Sequence, residues 1–147
     1  MQYPSANQLF VAEPPPHYLQ TPPVVVDCSA LAGILFLEPW ADVAAQQLTG
    51  KRLHAPHLLQ VELTSVALKK HRQGFGAIAA DGLAQLAALD LILHPVNPEA
   101  VWALALQYKL TAYDAAYLWL AAELRCPLIT FDEQLAQAAQ AHLSDLP

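Results

Sequence analysis

Three consecutive valines closed by an aspartate, Val24-Val25-Val26-Asp27, constrain this chain more than any other feature. A β-branched run this short and this apolar suits a strand buried on both faces, in the middle of a sheet. Comparable short runs recur at Leu53–Ala55, Leu91–His94 and Leu128–Thr130. Between them lie segments of helical character: Ser29–Leu37, Pro39 to a stop at Gly50, Pro56 to about Arg72, Ala77–Ala88, Pro98 through Ala105, and Ala112–Arg125. A last helix is expected from Asp132 to about Ala141. Short buried strands separated by helices predict an α/β fold, a small central parallel sheet with helices on both faces.

Six of the twelve prolines fall within residues 1–23, so residues 1–22 read as an extended or disordered arm and 23–147 as the folded domain. A chain of 147 residues, 55% hydrophobic, is enough for one domain that buries about two-thirds of its unfolded surface. A net charge of −6 argues against broad, non-specific nucleic-acid binding. Two cysteines, Cys28 and Cys126, are too few for a disulfide framework and are expected as buried free thiols. With neither a signal peptide nor a membrane-spanning run in view, a cytoplasmic protein is expected.

Only 14% of the chain is charged, yet Asp27, Glu62, Asp114 and Asp132 each sit in an apolar or small-residue stretch. Buried carboxylates are costly unless paired or bound to a metal. None of the seven Lys and Arg residues lies beside these four in sequence, so a divalent-metal site is the leading explanation. In an open parallel sheet, sites form beyond the carboxyl ends of the strands. Asp27 ends the first strand and Asp132 follows the last. From Asp114 a helix of about ten residues runs roughly 15 Å outward. About six extended residues at roughly 3.3 Å each then return the chain to Asp132. Each acid also has a plainer reading. Asp27 and Asp132 suit helix caps, Glu62 a solvated helix face, and Asp114 a capping box behind Thr111. Capping and metal binding are compatible, since a helix N-terminus favours the ionised form.

Val25-Val26-Asp27-Cys28-Ser29-Ala30-Leu31 resembles the opening strand of PIN-domain ribonucleases. Ala55-Pro56-His57-Leu58-Leu59-Gln60-Val61-Glu62 resembles their second acidic motif, Tyr113-Asp114-Ala115-Ala116-Tyr117-Leu118 their third, and Leu128-Ile129-Thr130-Phe131-Asp132-Glu133-Gln134-Leu135 their fourth. The resemblance spans residues 24 to about 142, in order and spacing, and the size is that of VapC-type toxins of toxin–antitoxin pairs. It implies a Mg²⁺- or Mn²⁺-dependent endoribonuclease acting on single-stranded or looped RNA and held inactive by a VapB-type antitoxin. It also implies Asp27, Asp114 and Asp132 as metal ligands, with Glu62 a ligand or water-orienting base. Ser29 and Thr130 match polar positions that bond to metal-bound water or phosphate. The proline-rich arm departs from the family pattern, which begins almost at the first strand.

All-oxygen ligands suit Mg²⁺ or Mn²⁺ rather than Zn²⁺, and no histidine is read as the base. Two basic clusters, Lys51-Arg52 and Lys69-Lys70-His71-Arg72, are candidates for guiding RNA phosphates, as well as ordinary solvated ends. Phe36, Leu37, Trp40 and Phe75 exceed what one small core needs and point to a homodimer. An inactive PIN-like binding module is the first alternative. An aspartate-dependent phosphatase is the second, although that chemistry wants an acid where Ser29 stands.

Overall fold

Strand β1 (Pro23–Val26) buries all three of its valines, each contributing about 1.5–3 kcal/mol when removed from water. It belongs at the sheet's centre for that reason. The computed structural model describes residues 21–147 and, ahead of them, Ala12. Most of the arm expected over residues 1–22 therefore lies outside the described residues. With β2 (Arg52–Pro56), β3 (Leu91–His94) and β4 (Leu128–Ile129), β1 forms a four-stranded parallel sheet in the order β3-β2-β1-β4. Val25 stands opposite His54 on one side and Leu128 on the other, and Val26 opposite Ile129.

Helices α1 (Cys28–Leu35) and α2 (Ala41–Leu48) join β1 to β2, and α3 (Leu58–Arg72) and α4 (Gly76–Ala88) join β2 to β3. Helices α5 (Pro98–Tyr108) and α6 (Ala112–Leu124) return to β4, and α7 (Glu133–Ser144) follows. The first two crossovers step outward from β1, and the third comes back past it. Right-handed connections put α1–α4 on one face and α5 and α6 on the other. The contacts agree: α1 touches α2, α3 and α4, whereas α6 lies on β1, β2 and β4. The direction of winding reverses between β1 and β4, where open α/β sheets form their crevice.

Several boundaries move. The helix expected over Ser29–Leu37 ends at Leu35, and Leu37 takes a left-handed conformation with φ 56°. The helix expected from Pro39 begins at Ala41, and the last helix continues to Ser144. Phe36 is not spare surface: it is 1% exposed and belongs to the core, whereas Leu37, Trp40 and Phe75 are exposed as expected. Both cysteines are free thiols, Cys126 buried and Cys28 half-buried. No described helix is long and apolar enough to cross a membrane.

Candidate metal centre

Asp27 is the residue after β1 and the N-cap of α1. At 4% exposure it is the one buried charged side chain among the described residues. Its Oδ1 accepts from Ser29 Oγ at 2.7 Å and from the Ala30 N–H at 3.1 Å. Its Oδ2 accepts from Thr130 Oγ1 at 2.5 Å. Thr130 reaches it because β4 pairs with β1, and the Asp27 N–H extends that ladder to the Ile129 carbonyl at 3.2 Å. Ser29 Oγ also accepts the Phe131 N–H, and Thr130 Oγ1 the Asp132 N–H, both at 2.9 Å. Two corners of the chain are thereby joined around one carboxylate. The hydroxyls of Ser29 and Thr130 are turned onto Asp27 itself.

Asp132 caps α7, its Oδ1 accepting the Leu135 N–H at 2.8 Å. Asp114 lies in the first turn of α6, where Thr111 Oγ1 accepts its N–H at 3.1 Å. Three helix N-termini thus contribute an acid each, and their dipoles favour negative charge there. Glu62 comes from α3, and the buried Tyr117 of α6 donates to its Oε1 at 2.6 Å. Tyr117 was not among the expected site residues. Its spacing of three from Asp114 places both on one face of α6, and that was the available signal.

Burial is the first cause holding the carboxyl groups of Asp27, Glu62 and Asp114 above their ordinary values. Like charge adds to it: Asp132 acts on Asp27, Asp114 and Asp27 act on Glu62, and Asp132 and Asp27 act on Asp114. Donors from Thr130, Ser29 and Ala30 pull Asp27 down, and Tyr117 does so for Glu62. The structure brings the four acids close enough to feel one another's charge. Burial, together with Glu62 and Asp27, pushes the Cys28 thiol up to about 12, which keeps it a neutral thiol at pH 7.

A family model describing the PIN domain matches residues 24–141, spanning all four acids. This chain belongs to the PIN-domain family. Among curated relatives, VapC ribonuclease Mb0985 of Mycobacterium bovis is 36% identical over 123 residues, covering 80% of this chain and 92% of its own. Ribonuclease VapC9 of Mycobacterium tuberculosis matches equally, and ribonuclease VapC3 of Pyrobaculum aerophilum is 31% identical over 78% of this chain and 92% of its own. The crystal structure of PAE2754 from Pyrobaculum aerophilum superposes with a TM-score of 0.63 at 24% identity, covering 86% of this chain and 96% of that one. That last likeness is one of fold.

Among the described residues of this PIN domain, no cation pairs with the four acids. Among the described residues the one ion pair is Lys70 with Glu38, at 2.5 Å. Lys51 and Arg52 stand at the start of β2, the edge of the sheet opposite the acids. Lys69, Lys70 and Arg72 close α3, Lys69 being seven residues from Glu62, roughly 10 Å along the axis. His54 Nδ1 and His94 Nε2 lie 2.8 Å apart on β2 and β3 and bond to each other.

As the side chains stand, no three described His, Cys, Asp or Glu groups converge tightly enough to hold one ion. Unit charges about 4 Å apart repel by roughly 4 kcal/mol at an effective dielectric of 20, so unneutralised carboxylates spread. The donor set nevertheless fits a hard divalent cation. It is all oxygen, pairs with no cation among the described residues, and includes Asp114 and Asp132, which are more exposed than Asp27.

Proposed function

We propose that this PIN-domain protein is a Mg²⁺- or Mn²⁺-dependent endoribonuclease that cuts single-stranded or looped RNA. We further propose that it acts as the toxin of a VapBC-type pair. One observation supports the reading: Asp27, Glu62 and Asp114 are all raised by burial and by like charge from one another or from Asp132, and none of the four acids has an ion-pair partner among the described residues. The curated relatives, named as VapC ribonucleases, support it. Asp27, Asp114 and Asp132 would hold the ion, and Glu62 either joins them or orients the attacking water. When bound, such an ion supplies a water made nucleophilic near neutral pH and offsets charge on the phosphodiester. Ser29 and Thr130 aim Asp27 and offset part of the burial that disfavours its ionised form. Tyr117 fixes Glu62, and burial makes that carboxylate a better proton acceptor than a free one, as a water-orienting base requires. An unstacked strand is the RNA form that an open carboxylate site can reach.

A VapB-type antitoxin is the proposed inhibitor, with a segment laid over the carboxylates. The exposed Leu37, Trp40 and Phe75 suit a second copy or that partner. The purified protein should cleave single-stranded RNA with Mg²⁺ or Mn²⁺ and stop in excess EDTA. Undiminished cleavage in EDTA would overturn the chemistry. Sedimentation as a strict monomer at tens of micromolar would remove the homodimer.

A further inference from the structure

A cleft borders the carboxylates. Cys28, Val61, Glu62, Ser65, Val66 and Tyr113 line a cavity of about 350 Å³, inside the roughly 300–1,000 Å³ range of small-molecule sites. Glu62 is its one charged wall, so whatever enters lies beside the acid cluster. The remaining walls are apolar or neutral. Tyr113 precedes Asp114 in α6 and is 62% exposed, and Val61 of α3 is also exposed.

The chemistry of these walls selects the occupant. A phosphate or an acidic peptide side chain would meet Glu62 and be repelled. A neutral planar ring can stack on Tyr113, cover Val61 and Val66, and bond through its edge to the Ser65 hydroxyl. The charge distribution calls for such a contact. Lys51 and Arg52 stand at the far edge of the sheet, Lys70 is paired with Glu38, and Lys69 and Arg72 lie about one and two turns beyond Ser65 on α3, past the cleft and not among its walls. The cleft itself offers no cation to a phosphate, so RNA entering it draws affinity there from a base, and stacking is open to every base.

We propose that this cleft is a base-binding subsite, taking one unstacked nucleobase of the RNA strand next to the scissile phosphate, with Tyr113 as stacking platform and Ser65 reading the base edge. The proposal rests on the ribonuclease reading above and adds a specificity determinant to it. One base stacked on one aromatic ring corresponds to about 5- to 150-fold in affinity.

The test compares the wild type with Tyr113→Leu, Tyr113→Phe and Ser65→Ala on a short single-stranded RNA of mixed sequence. Binding is read by fluorescence anisotropy and cleavage in Mn²⁺. The same RNA is also made with a single abasic position walked along it. Tyr113→Leu should weaken binding and raise KM by about fivefold or more, whereas Tyr113→Phe, which keeps the ring, should stay near wild type. The Tyr113→Leu penalty should vanish when the abasic position occupies the cleft, and Ser65→Ala should alter the preference among bases there. A general loss of structure would weaken intact and abasic RNA alike, and that result overturns the proposal. So does a Tyr113→Leu variant that handles RNA normally but loses affinity for the antitoxin, because the cleft then serves a protein partner. Absence of cleavage by the wild type would overturn the ribonuclease reading, while the binding comparison still decides the cleft.

Discussion

Thr130 ties together the ends of two strands with one hydroxyl. It donates to Asp27 Oδ2 and accepts the Asp132 N–H. Thr130→Val keeps the shape and removes both bonds, leaving a buried carboxylate oxygen short of a donor, a cost of about 1–3 kcal/mol. The Thr130 bond also lowers the Asp27 carboxyl, so its loss raises that group further. Ionising Asp27 then needs a higher pH. The variant should melt lower, and the acid limb of its RNA-cleavage profile should move to higher pH. A profile superimposable on the wild type would remove Thr130 from the site. The acids themselves were legible in the sequence because charge is rare there and their neighbours are apolar. Their hydrogen-bond partners were not: Thr130 is 103 residues from Asp27, and only strand pairing brings the two together.

Glycine positions show how closely the helices of the α1–α4 layer meet. On helix propensity alone, Gly82→Ala in α4 should stabilise by about 1 kcal/mol. A Cβ there would lie 2.5 Å from Phe36 Cε1 and 2.6 Å from the Leu35 carbonyl oxygen. The ring can turn, but the backbone oxygen cannot, so α4 must shift, and overpacking of this kind costs about 1–3 kcal/mol. Gly82→Ala should therefore lower the melting temperature. At Gly33 the three nearest atoms to an added Cβ all belong to the Trp40 indole, a side chain at the surface, so Gly33→Ala should cost less. Element boundaries were legible where the sequence punctuates them: β3 spans Leu91–His94 as expected, between Asp90 and Pro95. The end of α1 was not, because Leu37 adopts a left-handed conformation without being glycine and so carries no local signal. Which of the four large apolar residues enters the core has no local signal for a related reason, since the glycine that admits the Phe36 ring lies on another helix.

At the scale of the whole molecule, raised carboxyl groups make stability depend on pH. For Asp27, Glu62 and Asp114 the folded protein binds protons more tightly than the unfolded chain, so their contribution falls as pH rises through the window above the ordinary values of 3.8 to 4.5. In EDTA the protein should therefore gain stability on mild acidification, and Mg²⁺ should reverse the trend by favouring the ionised forms. His54 opposes this. Burial and His94 hold it below its ordinary 6.5, so it costs stability as pH falls through that value. Melting curves over a pH series in EDTA, repeated with His54→Gln, separate the two. A His54→Gln variant that only loses stability on acidification would contradict the strain assigned to the acids.

The most direct measurement is the melting temperature of Asp114→Asn with and without Mg²⁺, taken alongside RNA cleavage. The substitution removes one charge from the cluster with little change in shape. With Asp114 acting as a metal ligand, metal-free stability should hold or rise, the gain from Mg²⁺ should shrink, and cleavage should collapse. With Asp114 serving only the first turn of α6, the change should cost up to about 1 kcal/mol through lost helix-end interactions. A variant that is destabilised, still responds to Mg²⁺ and still cleaves RNA would contradict the metal centre.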